Sequence, residues 1–473
     1  MRVLPNIPGF RFIPVSPTLY LKMPEPIISI SGLRGIVGSE LTPDTAVKYA
    51  AAFCQVAPPG PIVVSRDGRA SGPMLLDAIS ATITASGRDC LDLDVASTPT
   101  AGFFVKSTNS AGGIQISASH NPPPYNGMKL FSPQGRVVGA VAGNQVLERY
   151  RTAKFDWVSA EKLGKRVRIE KPFEPHLVAV LNTVDQPMIR NASFRVLLDS
   201  NHGAGSALGK TLLERLGCTV EVLGGAPDGQ FSHPPEPLAE NLGQVANSVR
   251  DGGYAVGFCQ DPDADRLAII DGGGQYIGEE YTSVFCALNR LKRLAGTTKA
   301  GPLVTNCASS SMMKRLAEQF GVAFHQSAVG EANVADMMVK TDAVYGGEGS
   351  GGPIDPSVGL IRDSFVGMAQ VLELMAREKM SVAEIVASLP RSAMIKDKMS
   401  MSKETLLKSI DRLKDGLQAD SLSLLDGVRL DWQDRWLLLR GSNTEPIVRL
   451  IAEAPTVDEA KDLIMRAKNL IGA

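Results

Sequence analysis

The sequence predicts an α/β protein of several domains, in which helices cover largely parallel sheets. Two observations carry this expectation. Short apolar runs that read as buried strands alternate along the chain with longer stretches of helical periodicity. A length of 473 residues, 44% of them hydrophobic and 21% charged, is that of an ordinary globular chain with material for roughly three or four domains.

Residues 1–26 hold six prolines and no usable periodicity, and are expected to form an extended leader; Met23, just ahead of an apolar run, is a candidate original start. Residues 31–38 read as a glycine-spaced loop whose one charge is Arg34. Strands are expected at 61–65, 91–96 and 113–116, with a helix at 71–86 between the first two and another at 138–153. The charge run 161–171 reads as a solvated connection at a domain boundary. A strand at 194–198 leads into Gly203, Gly205 and Gly209, a pattern close to the dinucleotide fingerprint; its third glycine falls one place late, so a tight strand-to-helix turn explains it.

After a strand at 254–260 come a helix at 279–293, a strand at 303–306, a helix at 310–320, a strand near 322–324 and a helix at 332–339. Helices at 362–378 and 382–389 precede Pro390, the last domain boundary. The final unit reads as a strand, a helix at 403–417 and a hairpin built from 428–432 and 436–439.

Four stretches carry chemistry. The run Gln115–Lys129 follows a buried strand, and Pro122, Pro123, Pro124 and Gly127 should keep it out of regular structure. It offers the Ser119 hydroxyl as a nucleophile, His120 as a proton carrier and Lys129 as a cation, the set needed to move a phosphoryl group through a serine ester. In the second, Asp261-Pro-Asp-Ala-Asp-Arg266, three alternating carboxylates can converge on one divalent cation, and oxygen ligands suit Mg²⁺. A calcium EF-hand is excluded, because its sixth and twelfth places would be Arg266 and Gly272.

The third, Gly346–Gly352, combines exposed backbone N–H groups with Glu348 and Ser350, equipment for gripping sugar hydroxyls; a flexible linker is the bland alternative. In the fourth, Arg440-Gly-Ser-Asn-Thr-Glu-Pro-Ile-Val-Arg449, guanidinium, hydroxyl and amide donors stand together, as they do where a phosphate is held.

Lys plus Arg number 49 against 50 Asp plus Glu, so no bulk field draws nucleic acid or a membrane, and any anionic ligand must be held by local groups. The six cysteines are widely spaced without a C-x-x-C pair, which fits reduced core thiols. No run reaches the ~18 apolar residues of a membrane span, and no signal-peptide core stands at the N-terminus, so a cytoplasmic protein is expected.

Taken in order, Ser117–Pro122 with Asn126–Lys129, Asp261–Arg266, Gly347–Ser350 and Arg440–Pro446 resemble the four motifs of the α-D-phosphohexomutase family over residues 27–470. The resemblance implies four domains around a central cleft, three related α/β domains and a smaller C-terminal α+β domain, here 27–170, 171–275, 276–390 and 391–473. It also implies a reaction, the interconversion of hexose 1-phosphate and 6-phosphate through a phosphoserine and a hexose 1,6-bisphosphate that also serves as activator. Ser119 would carry the phosphoryl group, and Asp261, Asp263 and Asp265 would hold one Mg²⁺ against it. Arg34, Lys129 and Arg266 would line the reacting centre, with His120 or Lys129 as the general base. Glu348 and Ser350 would bind the sugar, and Arg440, Ser442, Asn443, Thr444 and Arg449 its distal phosphate.

This chain departs from many relatives at Gly352, where they carry His, and at Ala332, where some carry a basic residue. The motif forms look most like those of phosphoglucosamine mutases, with phosphomannomutases and phosphoglucomutases close by. Two rival readings are a haloacid-dehalogenase-type phosphatase with Asp261 as nucleophile, and a sugar-phosphate sensor without activity.

Overall fold

The computed structural model describes residues 24–30, 32–152, 154–297, 300–390, 392–441 and 447–472. The expectations for 1–23 and for Ser442, Asn443 and Thr444 lie outside these residues.

Three units repeat one topology. The first has strands Ile62–Arg66, Cys90–Val95, Gly112–Ile116 and Tyr125–Phe131; the second Arg195–Asp199, Thr219–Leu223, Val256–Gln260 and Leu267–Asp271; the third Leu303–Asn306, Phe324–Ser327, Tyr345–Glu348 and Gly352–Ile354. Within each unit the spatial order is 2-1-3-4, with the first three strands parallel and the fourth antiparallel to the third. In every repeat the turn from third to fourth strand therefore falls at the same place. Ser119, the Asp261–Arg266 run and Ser350 occupy those three turns. The fourth unit is a five-stranded antiparallel sheet, Ala393–Ser400, Ile447–Ala454, Trp436–Gly441, Val428–Asp431 and Ser421–Ser423 in spatial order, backed by helices Lys403–Gly416 and Val457–Ile471.

The apolar core of the second and third units is continuous, because helix Ser364–Glu378 is buried along most of its length and packs against helices of both. Its N-terminus is capped by Asp363, whose Oδ1 accepts from the N–H groups of Phe365 and Val366. The first and fourth units have cores of their own.

The structure corrects several expectations. The expected glycine-spaced loop is in large part a strand, Gly32–Ile36, paired antiparallel with Tyr125–Phe131. Nor does Gly127 keep its segment irregular, since it sits inside Tyr125–Phe131. A Cβ there would lie 2.5 Å from Leu33 O and 2.7 Å from Ser117 O, so glycine lets two neighbouring chains close in. Only the turn ahead of Tyr125, with its three prolines, is irregular.

The charge run is more than a connection. Arg166–Arg168 adds an edge strand beside Cys90–Val95, held by pairs from Arg166 to Asp77 and Asp92 and from Arg168 to Asp92 and Asp94. The glycine tract 346–352 is a hairpin rather than a linker. At the glycine turn of the second unit, a Cβ on Gly205 would meet Gln260 Oε1 at 2.3 Å, which accounts for that residue by packing.

Strand Ile447–Ala454 and helix Val457–Ile471 were not anticipated, although the helix carries a legible start signal, the capping box of Thr456 and Glu459. All six cysteines are buried and unpaired. Among the described residues no helix is long and apolar enough to cross a membrane.

Candidate active site

Ser119 stands at the start of its turn with φ +48°, a left-handed conformation unusual for serine, and is 1% exposed. Such a backbone persists only where the surroundings impose it, and here a buried cation does. Arg69, unnoticed in the sequence, donates through Nη2 to Ser119 O (2.7 Å) and Asn121 O (2.6 Å), and through Nη1 to Pro122 O (2.8 Å) and Tyr125 O (3.0 Å). Its charge is balanced by buried Asp67 at 3.1 Å. Asp67 in turn accepts from Ser117 Oγ (2.7 Å), and that oxygen accepts from Ser119 N (2.9 Å). One guanidinium thus gathers four carbonyls of the turn and the strand after it, and its counter-ion, through Ser117, fixes the Ser119 amide.

The second turn converges on the first. Ser119 Oγ donates to Asp261 Oδ2 at 2.8 Å. Asp261 Oδ1 accepts from the N–H groups of Asp265 and Arg266, both at 3.1 Å, so the turn closes on its own carboxylate. Its carbonyls are tied to other parts of the chain: Ala204 N donates to Pro262 O, Thr98 N to Asp263 O and Ser364 Oγ to Ala264 O. Ala264 takes φ +56°.

Asp261, Asp263 and Asp265 are fully buried, with ligand oxygens all within 4.8 Å of one another. Lys129 Nζ reaches Asp263 Oδ2 (3.0 Å) and Asp265 Oδ2 (2.7 Å), and Arg362 Nη2 reaches Asp265 Oδ2 (2.6 Å). The remaining oxygens, Asp263 Oδ1 and Asp265 Oδ1, are buried without a hydrogen-bond partner among the described residues. Buried polar atoms are rarely left so, and two anionic oxygens beside a third carboxylate suit a hard divalent cation.

Burial, then the charges of Asp263 and Asp265, push the Asp261 carboxyl well above its ordinary range. Burial presses on the other two as well, but Lys129 and Thr98 outweigh it at Asp263, and Arg362 and Lys129 at Asp265, so both are held below the usual carboxylate range. Lys129 is only partly buried, its side chain 12% exposed; desolvation opposes its charge, yet its two carboxylates hold it above the usual lysine range.

Around this cluster, Arg34 Nη1 donates to Asn121 Oδ1 at 3.2 Å. His120 Nδ1 lies 3.3 Å from Glu236 Oε1, and Arg266 Nη1 lies 3.7 Å from the same oxygen. Burial and the nearby Arg266 lower the His120 pKa. Ser350 lines a small cavity with Arg266, Glu236 and Glu279.

Glu348 is engaged on both oxygens, by Asn306 Nδ2 (2.9 Å) and Arg362 Nη1 (2.8 Å). Arg362 is a second residue that sequence reasoning missed. It links the third turn to the second, and a Cβ on Gly352 would lie 2.3 Å from its Cδ. The side chain missing at 352 is thus the room that Arg362 uses.

Arg440 is 4% exposed, with Nε on Asp426 Oδ2 at 2.9 Å and a buried Nη2 that has no partner among the described residues. It faces exposed Arg449 across the antiparallel ladder. Among the described residues no hydrogen bond or ion pair joins Arg440 or Arg449 to the Ser119–Asp261 cluster. Asp261 Oδ1 accepts from two amides of its own turn and Oδ2 from Ser119 Oγ, so the carboxylate is held facing the serine hydroxyl.

Four sequence profiles match in succession: phosphoglucomutase/phosphomannomutase alpha/beta/alpha domain I at residues 27–157, domain II at 174–274, domain III at 279–393 and the C-terminal domain at 394–470. A phosphoglucomutase/phosphomannomutase of Thermococcus kodakarensis is 33% identical over 443 residues, covering 92% of this chain and 95% of that protein. A "probable phosphoglucosamine mutase" of Pyrococcus horikoshii is 30% identical over 445 residues, covering 93% and 96%. The crystal structure of a phosphoglucomutase/phosphomannomutase family protein from Burkholderia thailandensis aligns with a TM-score of 0.82 at 25% identity, covering 94% of this chain and 98% of that one. With profiles spanning nearly the whole chain and relatives matched over nearly their whole length, this chain belongs to the phosphoglucomutase/phosphomannomutase family.

Proposed function

We propose that the protein is a phosphohexomutase that converts glucosamine 6-phosphate and glucosamine 1-phosphate into each other through a phosphoserine at Ser119. The observation that carries this reading is the 2.8 Å bond from Ser119 Oγ to Asp261, which sets a serine of the first repeat on a three-carboxylate cluster of the second. Asp261, Asp263 and Asp265, with the phosphate on Ser119, would hold one Mg²⁺, and the two unpartnered carboxylate oxygens support that assignment. Bound there, it would neutralise charge on the phosphoryl oxygens.

In the first half-reaction a hydroxyl of the sugar phosphate attacks the phosphorus on Ser119. The new O–P bond forms on the sugar, the bond to Ser119 Oγ breaks, and the hydroxyl proton passes to a base while the serine oxygen regains one. The product is a hexose 1,6-bisphosphate, which also serves as activator by phosphorylating the free serine. After the bisphosphate turns round, Ser119 Oγ attacks its other phosphate and the same events run in reverse.

Lys129 is committed to two carboxylates and acts as a fixed cation, which leaves His120 as the base. Arg34 and Arg266 stand where charge on the transferring group needs compensation. Glu348 and Ser350 bind sugar hydroxyls, and Arg440 and Arg449 receive the distal phosphate with the Ser442–Thr444 segment.

The family reading is compatible with glucosamine, mannose or glucose phosphates. The name of the Pyrococcus horikoshii relative and the motif forms favour glucosamine. Buried thiols fit a cytoplasmic enzyme, and a formal charge of −1 fits a small phosphosugar partner rather than nucleic acid. Phosphopeptide mapping tests the core of the proposal: phosphate on Ser119 is expected, and an acyl phosphate on Asp261 would overturn it. Parallel kinetics on the three sugar phosphates, each primed with its bisphosphate, test the substrate.

A further inference from the structure

One carboxylate in the cleft has no part in the reading above. Glu236 lies among groups suited to anions, Arg266 and His120 included, and its side chain is 38% exposed, so it would repel a phosphosugar unless it served another group. Its Oε1 is 3.3 Å from His120 Nδ1 and 3.7 Å from Arg266 Nη1, so a residue of the second repeat touches the neighbour of the nucleophile in the first.

The segment that presents Glu236 is held far more firmly than a surface loop needs to be. Pro234, Pro235 and Pro237 restrict its backbone around the glutamate. Asn201 Oδ1 accepts from Ser232 N (2.8 Å) and His233 N (3.4 Å), and the His233 ring is tied to buried Asp199 at 2.8 Å. The carbonyl of Glu236 accepts from Asn241 Nδ2 at 2.8 Å. On the other side, the ring of Phe231 lies 5.1 Å from the Arg69 guanidinium, the clamp of the serine turn. A Cβ on Gly68 would lie 2.5 Å from His202 O and 2.8 Å from Pro227 C, so the two repeats meet here with backbone against backbone.

We infer that Glu236 is a positioning residue for the phosphoryl transfer, holding the imidazole of His120 by its Nδ1 edge and leaving Nε2, which has no partner among the described residues, to exchange the proton with substrate. Arg266 Nη1 approaches the same oxygen only at 3.7 Å, beyond hydrogen-bond distance, so the imidazole is the group that Glu236 positions. The arrangement bridges two repeats, so it is complete only where the segment 226–237 is docked on Arg69. This inference rests on the phosphoserine reading proposed above.

A double-mutant cycle tests it on the intact chain. Glu236→Ala is expected to lower kcat roughly 10- to 100-fold, the range seen when a group that orients a reacting side chain is lost, with KM within about twofold. Glu236→Asp should recover part of the rate. The decisive arm is His120→Ala combined with Glu236→Ala, which should be no slower than His120→Ala alone, because a positioning residue has nothing left to position. Effects that multiply would overturn the inference, as would full activity in either single variant. Loss of folding is separated by the thermal midpoint, which should move little in Glu236→Gln while kcat still falls. The mutase reading fails on a different result, turnover surviving in Ser119→Ala.

Discussion

The serine turn and the carboxylate turn occupy the same place in two copies of one topology, yet they are stabilised in opposite ways. In the first repeat the turn's side chains are free for chemistry because an imported guanidinium, Arg69, binds its backbone carbonyls. In the second, the backbone is secured partly by Asp261 itself and by donors from other repeats, and the imported cations, Lys129 and Arg362, meet the side chains instead. A neutral nucleophile needs only a rigid frame. Three buried carboxylates need more positive charge than Arg266, the one cation of their six-residue turn, can supply. The third turn, at Gly349–Gly351, carries neither burden and is reduced to three residues between its strands.

The comparison can be broken at each turn in succession. Ser119→Ala should reduce mutase activity by more than about 10³-fold while unfolding stays near wild type, since among the described residues its hydroxyl makes a single hydrogen bond. Activity assays beside thermal melts check this; a strongly lowered melting point would mean that the serine side chain also belongs to the frame.

Arg69→Met should do the reverse in kind. It leaves Asp67 buried without its cation and costs about 3–5 kcal/mol. Denaturant unfolding measures the loss, and an unchanged midpoint would show that the serine turn holds itself. Activity should fall as well, because the left-handed backbone at Ser119 loses its support.

At the second turn, Asp263→Asn removes one of three ligand charges and should weaken magnesium activation roughly tenfold or more. A magnesium titration of the rate that superimposes on wild type would remove the metal role.

The smallest effect is expected at the third turn, where Glu280 lies against Gly349 and is paired with Lys396 of the fourth unit. Burial pushes the Glu280 carboxyl up to about 7, against the pull of Lys396. A carboxyl whose folded pKa exceeds its unfolded value favours the folded state at low pH, and that contribution is lost as pH rises through about 7. Glu280→Gln should therefore be more stable than wild type by roughly 1–3 kcal/mol at pH 8 and equal to it near pH 4.5. Unfolding at the two pH values decides the sign.

Much of the site was legible before folding was considered, because each turn carries its chemistry in consecutive residues. The motif Asp261–Arg266 sits at the end of a strand that announces itself by the mostly apolar run Tyr254-Ala-Val-Gly-Phe-Cys-Gln260. Ser119, Lys129 and the alternating carboxylates meet as their residue types suggested. The strand Gly32–Ile36 was missed because its glycines imitate a loop; the small size of Gly32 serves the close approach of Tyr125–Phe131.

What the sequence determined by itself is therefore local: an α/β pattern, the turns and the reactive groups they display, each encoded within a dozen residues by periodicity, proline and glycine. What only the tertiary structure decided is which charges answer which. Nothing near Arg69, Arg362 or Glu236 in the chain marks them as partners of Ser119, Asp265 or His120. Their roles come from burial, since a charge removed from water must find its counterpart across the fold. The cluster at Asp261, Asp263 and Asp265 can exist only where two other repeats bring Lys129 and Arg362 to it.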